Sequence, residues 1–172
     1  MKNLLFVIVL AALFAACGKS EKTFDKELRE ANIVMLKTFF SSTLMCDRVA
    51  EVWHNAIYDN ETPSGKYCSD FNTALNELFS SKEFSAICDS INKWNDDMLK
   101  LASTLNDHPE SRKDCYNDFI DIVGEVSSCS RMATNPTGSL KSYGEQKNEM
   151  YQNVSRKLDQ FKIKYGSFLE VK

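Results

Sequence analysis

Two apolar rows constrain this chain more than any other feature. Phe84, Ile87, Ile91, Trp94, Met98, Leu101 and Leu105 recur every three or four residues. Tyr151, Val154, Leu158, Phe161, Tyr165 and Phe168 do the same near the C-terminal end. Steps of three and four match the α-helical turn and place each set on one side of a helix. Stripes of this length need other helices to cover them. A sheet is disfavoured: there are three Pro and six Gly, and Val, Ile and Thr form no alternating runs.

The remaining segments read the same way. A first helix is expected over about residues 23 to 58, with Phe24, Leu28, Ala31, Met35, Phe39, Met45, Val49, Val52 and Ala56 inward. Polar Thr38, Ser41, Ser42 and Thr43 suggest a kink near Ser41. Residues 59 to 69 hold Asp59-Asn60, Pro63 and Ser64-Gly65, which mark a loop. A short helix follows from Asp70, with Phe71, Ala74, Leu75, Leu78 and Phe79 on one side. Ser80 and Glu83 have the spacing of a capping box that opens the third helix. Pro109 suits the first turn of the fourth, where a missing amide costs nothing. That helix carries Phe119, Ile122, Val126, Cys129 and Ala133, widened by Tyr116, Ile120 and Val123. After a turn at Asn135-Pro136-Thr137-Gly138, the last helix is expected near Ser142, with Glu145 as its capping partner. Short turns between long amphipathic helices imply antiparallel neighbours. The expected fold is therefore all-α: an antiparallel up-down bundle of four long helices plus one short helix, forming one domain over residues 23–172. Trp94 and Phe161, central in their rows, are both expected to be largely buried.

The N-terminal residues say where such a bundle resides. Lys2 precedes an apolar run from Leu4 to Phe14, and Ala15-Ala16 stand before Cys17. The run is far shorter than the roughly 20 residues that span a bilayer, and its layout is that of a signal peptide. Leu13-Phe14-Ala15-Ala16-Cys17 resembles the lipobox of bacterial lipoproteins, although Phe14 stands where that family usually has Leu. The resemblance implies a signal peptide over residues 1–16, an acylated Cys17 and a polar tether over residues 17–22. Acyl chains on Cys17 would make the membrane a partner, since each buried CH₂ contributes about 0.8 kcal/mol. By the same resemblance, Gly18 after the cysteine and the absence of a following acidic run point to the outer membrane, facing the periplasm. Cleavage before Cys17 leaves 156 of the 172 residues, enough for one domain with a sizeable core.

Three short motifs carry a second, looser resemblance: Trp53-x-x-Ala56-Ile57, Asp70-Phe71-Asn72-x-Ala74-Leu75 and Asn135-Pro136-x-Gly138-Ser139-Leu140. Together they look like small, uncharacterised helical lipoproteins and secreted proteins of bacteria. That group implies the helical fold and brings no activity or catalytic residues.

Six cysteines are many for an exported chain. With Cys17 acylated, Cys46, Cys68, Cys88, Cys115 and Cys129 remain, an odd set without CxxC spacing, so at most two bridges form. The third and fourth helices should run antiparallel about a turn near Asp107. Cys88 lies about nineteen residues before it and Cys129 about twenty-two after, an axial offset of only about 4.5 Å. Cys88–Cys129 is therefore the expected first bridge and Cys46–Cys115 the second. Cys68, in the loop, is left as the free thiol.

Other polar groups read as surface. Glu51-x-x-His54 resembles half of a di-iron ligand set, but the second such pair is missing. Asp114, Asp118, Asp121 and Glu125 follow helical spacing beside the apolar face of the fourth helix. They are expected to pair with Arg156, Lys157, Lys162 or Lys164. Calcium would also want a ligand loop, which is not apparent. No nucleophile elbow, Ser-His-Asp order or phosphate-cradling glycine loop occurs, and no metal or cofactor is expected. A net charge of −3 without a basic stripe argues against nucleic acid. The sequence reads as a membrane-tethered, non-enzymatic binding module for an unidentified protein partner. The alternative is a carrier that holds a hydrophobic ligand in the bundle core among Met35, Met45, Met98 and Trp94. A connected apolar cavity on the order of a few hundred Å³ would favour the carrier, and a filled core with an exposed apolar patch the binding module.

Overall fold

The computed structural model describes residues 19–170. The expected signal peptide, the acylated Cys17 and Gly18 lie outside those residues. Among the described residues five α-helices follow in order: α1 Glu21–Tyr58, α2 Phe71–Ser80, α3 Lys82–Thr104, α4 Lys113–Thr134 and α5 Leu140–Leu169. A single 3-10 turn, Glu110–Arg112, leads into α4. The chain is an all-α, antiparallel up-down bundle, as its periodicity predicts.

Caps set where the helices begin. Ser20 accepts from the Thr23 amide at 3.2 Å, so Glu21 and Lys22, expected in the tether, are already helical. Asp70 accepts from the Asn72 amide at 3.0 Å and starts α2. The α3 cap is Ser81, which accepts from Phe84, and not Ser80. Ser80 ends α2 instead, its hydroxyl donating to the Asn76 carbonyl. At α5 the reciprocal pair is Ser139 with Ser142, two residues ahead of the expected start and without Glu145. Gly138 makes that box fit: its φ is +92°, and a Cβ there would stand 2.8 Å from the Ser142 hydroxyl.

Helix α1 runs unbroken through Ser41. Its polar residues are satisfied locally or across the core. The Thr38 hydroxyl donates to the Val34 carbonyl, and Ser42 Oγ lies 3.1 Å from Ser130 Oγ on α4. Nothing is left to pull the helix open.

Side-chain ties give the directions. Lys37 of α1 caps Trp94 of α3, and Glu27 meets Thr104, so these helices run antiparallel. Lys157 and Lys164 of α5 reach Glu125 and Asp118 of α4, again antiparallel. Asp25 pairs with Arg112 and Ser42 with Ser130 at nearly equal sequence offsets, so α1 and α4 run parallel. Helix α1 packs against all four other helices. Its inner row, including Phe24, Leu28, Met35 and Val49, is fully buried with Ile91, Met98, Phe119 and Val154 from α3, α4 and α5.

Phe161 is buried, its ring 5.7 Å from Phe119. Trp94 departs from expectation. It is half-buried, and the Lys37 ammonium sits 3.8 Å from its ring centroid on the solvent side. The α3 row thus loosens toward its N-terminal end, where Ile87 is exposed beside the short α2.

Candidate functional site

The site that stands out is apolar and lies on the surface. Helices α1 and α5 are tied near one end by Arg29, whose guanidinium donates to the Phe168 carbonyl at 2.9 Å. Further along, the Tyr151 hydroxyl donates to the Thr43 carbonyl at 2.7 Å. Between these ties an open groove of about 800 Å³ is lined by Leu36 and Phe40 of α1 and by Leu158, Ile163 and Leu169 of α5. A second hollow, beside Ile33, adjoins it and shares Asn32 and Leu169.

The exposure of this region is out of proportion to its chemistry. Ile163 is 84 % exposed, Leu44 71 %, Ile33 66 % and Phe40 60 %. Ile33, Leu36, Phe40 and Leu44 stand three, four and four residues apart, so they form a row on one side of α1. The rim carries both signs of charge: Lys26, Arg29 and Glu30 on α1, Asp159 and Lys162 on α5, and Glu170 just after it. Apolar floor and mixed-charge rim are the composition of a recognition surface. They supply no paired acid and base and no activated nucleophile.

The core is filled along the bundle by Tyr143, Phe24, Phe119, Leu28, Met35, Ile91, Met98 and Leu105, all with negligible exposure. Met45 is equally part of this packing. Of the residues expected to line an internal cavity, only Trp94 reaches the surface.

The cysteines are arranged differently from expectation. Among the described residues no two stand at disulfide distance. Cys46 and Cys129 are both fully buried, on the stretch of α1 and α4 where Ser42 meets Ser130. Cys88, the expected partner of Cys129, sits half-buried on the flank of α3, where burial raises its pKa. The Cys46–Cys115 pairing fails because α1 and α4 run parallel. Cys115 lies beside Arg112 and Asp25, and Asp25 is twenty-one residues before Cys46, about 31 Å along the helix. Burial there pushes the Cys115 thiol up to about 12. Cys68 is buried instead of presented. The loop folds back on itself, with the Cys68 amide on the Asn60 carbonyl at 2.8 Å and Thr62 on Lys66 at 2.8 Å. Glu77 accepts from the Ser64 amide at 2.9 Å, and that hydroxyl-rich corner draws its carboxyl below the usual range.

Tyr143 and Tyr151 of α5 each give their hydroxyl to a backbone carbonyl. Tyr151 commits its proton to Thr43, whereas the Tyr143 bond to the Met132 carbonyl is long at 3.4 Å. Hydrogen bonds, chiefly from Cys129, lower the Cys46 pKa against the effect of burial. The same contact, with burial, raises that of Cys129.

The remaining polar clusters are tied into surface pairs. Glu51 pairs with Arg48 at 2.7 Å, and the His54 ring lies against Tyr58, tilted by 39° with centroids 4.6 Å apart. Asp121 and Glu125 share Lys157 at 2.8 and 3.1 Å, and Asp118 takes Lys164 and the Tyr165 hydroxyl, each at 3.0 Å. Among the described residues no three His, Cys, Asp or Glu side chains are grouped to hold a metal, and no helix is long and apolar enough to cross a membrane.

The exposed row on α1 escapes a search for one amphipathic face. Its signal is in the sequence all the same, as a second three-four series on a helix that already has one. Comparison of the chain with protein families, curated proteins and solved structures gives no match.

Proposed function

We propose that this protein is a non-enzymatic binding module that docks an amphipathic helix of a partner protein in the α1–α5 groove, and that Cys17 tethers it to the bacterial envelope. The observation that carries the reading is the open groove, with exposed Ile163 in its lining and Ile33 in the adjoining hollow, on a bundle whose inner row is buried. Two antiparallel helices with a row at three-four spacing between them present the counterpart of a helix face. Helix-in-groove docking uses such anchors at i, i+3, i+4 and i+7. The mixed-charge rim suits a partner helix with both signs of charge better than a uniformly anionic lipid surface. The filled core weighs against the carrier reading. The tether rests on the sequence around Cys17 alone, and with it the location at the outer membrane, facing the periplasm.

Two experiments test the two halves. A photo-crosslinking residue at Ile163, or at Phe40, is expected to capture the same partner peptide in intact envelopes, whereas one at exposed Tyr67, in the 59–69 loop, does not. Lipid adducts alone from Ile163 would replace the partner helix with a bilayer or acyl chain. Metabolic labelling with a fatty-acid analogue is expected to mark the wild type and not Cys17→Ser. An unlabelled wild type would remove the tether and leave the groove reading standing.

A further inference from the structure

We infer that the end of the bundle where α1 begins is a contact face for the headgroup layer of the membrane that holds Cys17. The inference rests on the tether proposed above and not on the groove. In the structure most of the expected 17–22 tether is already bundle. Ser20 caps α1, and Glu21 and Lys22 lie in its first turn. Lys19 is held too, its ammonium donating to the Glu27 carboxylate and to the Thr104 carbonyl at the end of α3. Glu21 takes the Ser111 hydroxyl and pairs with Arg112 at 3.3 Å, and Arg112 also pairs with Asp25 at 2.8 Å. The start of α1 is therefore locked to α3 and to the turn before α4. Only Gly18 separates Lys19 from the cysteine, and two residues of chain reach about 7 Å at most.

Acyl chains on Cys17 hold that residue at the boundary between headgroups and hydrocarbon, so this end of a locked bundle cannot leave the surface. The opposite end, with the 59–69 loop, lies about 57 Å away along the 38 residues of α1. The chemistry of the near end suits contact without insertion. Its exposed side chains are polar, and Lys22 and Lys113 are matched by Asp107 and Glu110. Lys19 and Arg112 are already paired inside the bundle, and Leu105 is buried. Neither sign of charge dominates, so the tether and not charge attraction sets the contact. The position of the groove follows. Along α1 it runs from Asn32, about 18 Å beyond Ser20, to Phe40, about 30 Å beyond it. With the 7 Å of free chain, no part of that stretch stands more than about 40 Å from the lipid. A partner helix that reaches it comes from a protein held at the same membrane or lying close to it.

The test places a photo-crosslinking residue at Lys22, at Glu110 or at Tyr67 of the full chain in intact envelopes and counts lipid adducts by mass. The intact mass of each sample reports whether Cys17 carries acyl chains. Lipid adducts are expected from positions 22 and 110 and not from position 67. A Gly-Ser insert of about twenty residues between Gly18 and Lys19, with a mean span of about 25 Å, is expected to abolish the adducts at 22 and 110 while leaving Cys17 acylated. Equal adducts at all three positions of an acylated chain, or adducts at 22 and 110 that survive the insert, would overturn the contact face and leave the tether standing. A mass without acyl chains would overturn the tether and this inference with it.

Discussion

Helix α1 carries two apolar rows, and they have opposite fates. Phe24, Leu28, Ala31, Met35 and Val49 are fully buried, while Ile33, Phe40 and Leu44 on the same helix stand largely in solvent. Residue type does not separate them. Neighbours do: α3, α4 and α5 close over the inner row, whereas α5 leaves a groove beside the outer one. Burying a Leu- or Phe-sized side chain is worth about 1.5–3 kcal/mol. The inner row realises that gain on folding, and the outer row keeps it in reserve for association.

The sharpest way to break the comparison is to cut each row separately. Phe161→Ala, opposite the inner row, is expected to cost about 3–5 kcal/mol and to lower the thermal midpoint strongly. An unchanged melt would mean the inner row is not the core. Phe40→Asp combined with Ile163→Asp should do the reverse. The melt should move little, since surface changes usually stay within about 0.5 kcal/mol. Partner capture should fall about tenfold or more per residue, because each tenfold in affinity corresponds to about 1.4 kcal/mol. A large loss of stability in this double variant would place the outer row in the fold's own packing.

Trp94→Ala probes the boundary between the two regimes. A half-buried ring under Lys37 is expected to cost about 1.5–2.5 kcal/mol, less than a full core truncation. A loss equal to that of Phe161→Ala would show that the ring is a core residue. The smallest effect belongs to the 59–69 loop. Glu77 is held below the ordinary carboxylate range by its bonds to Ser64 and Thr62, so its folded pKa lies under its unfolded one. Its contribution is complete above the unfolded value and is lost as pH falls through the folded one. The protection of the Ser64 amide, its exchange rate relative to the intrinsic rate at the same pH, should therefore fall on acidification in the wild type. In Glu77→Gln that protection should already be low and change little with pH.

The architecture was legible because three-four rows state a helix and its buried side together. Helix order, the loop and the 135–138 turn all follow from residues in the sequence. Caps were legible to within a turn: Ser80 and Ser81 are both chemically fit to cap, and only the path of the chain chooses Ser81. Which residues meet across helices was not legible. The expected Cys46–Cys115 bridge assumed a common level on α1 and α4, and the parallel course of those helices puts Cys115 at the far end, beside Asp25. Trp94 sits in a faultless row, yet nothing in the row says that its ring is left half-buried under Lys37. The groove was hidden for a related reason. A strong inner row on α1 accounts for the helix, and the outer row becomes conspicuous only once the position of α5 shows that nothing covers it.

Hydroxyl-radical footprinting of the chain in its native envelope and after purification tests the central claim most directly. The account predicts that Ile33, Phe40, Leu44 and Ile163 are oxidised readily in the purified chain and protected in the envelope. Tyr67, exposed and away from the groove, should react equally in both. Equal oxidation of these four exposed apolar residues in the two preparations would contradict a docking role, because a row that nothing covers in place is not a docking face.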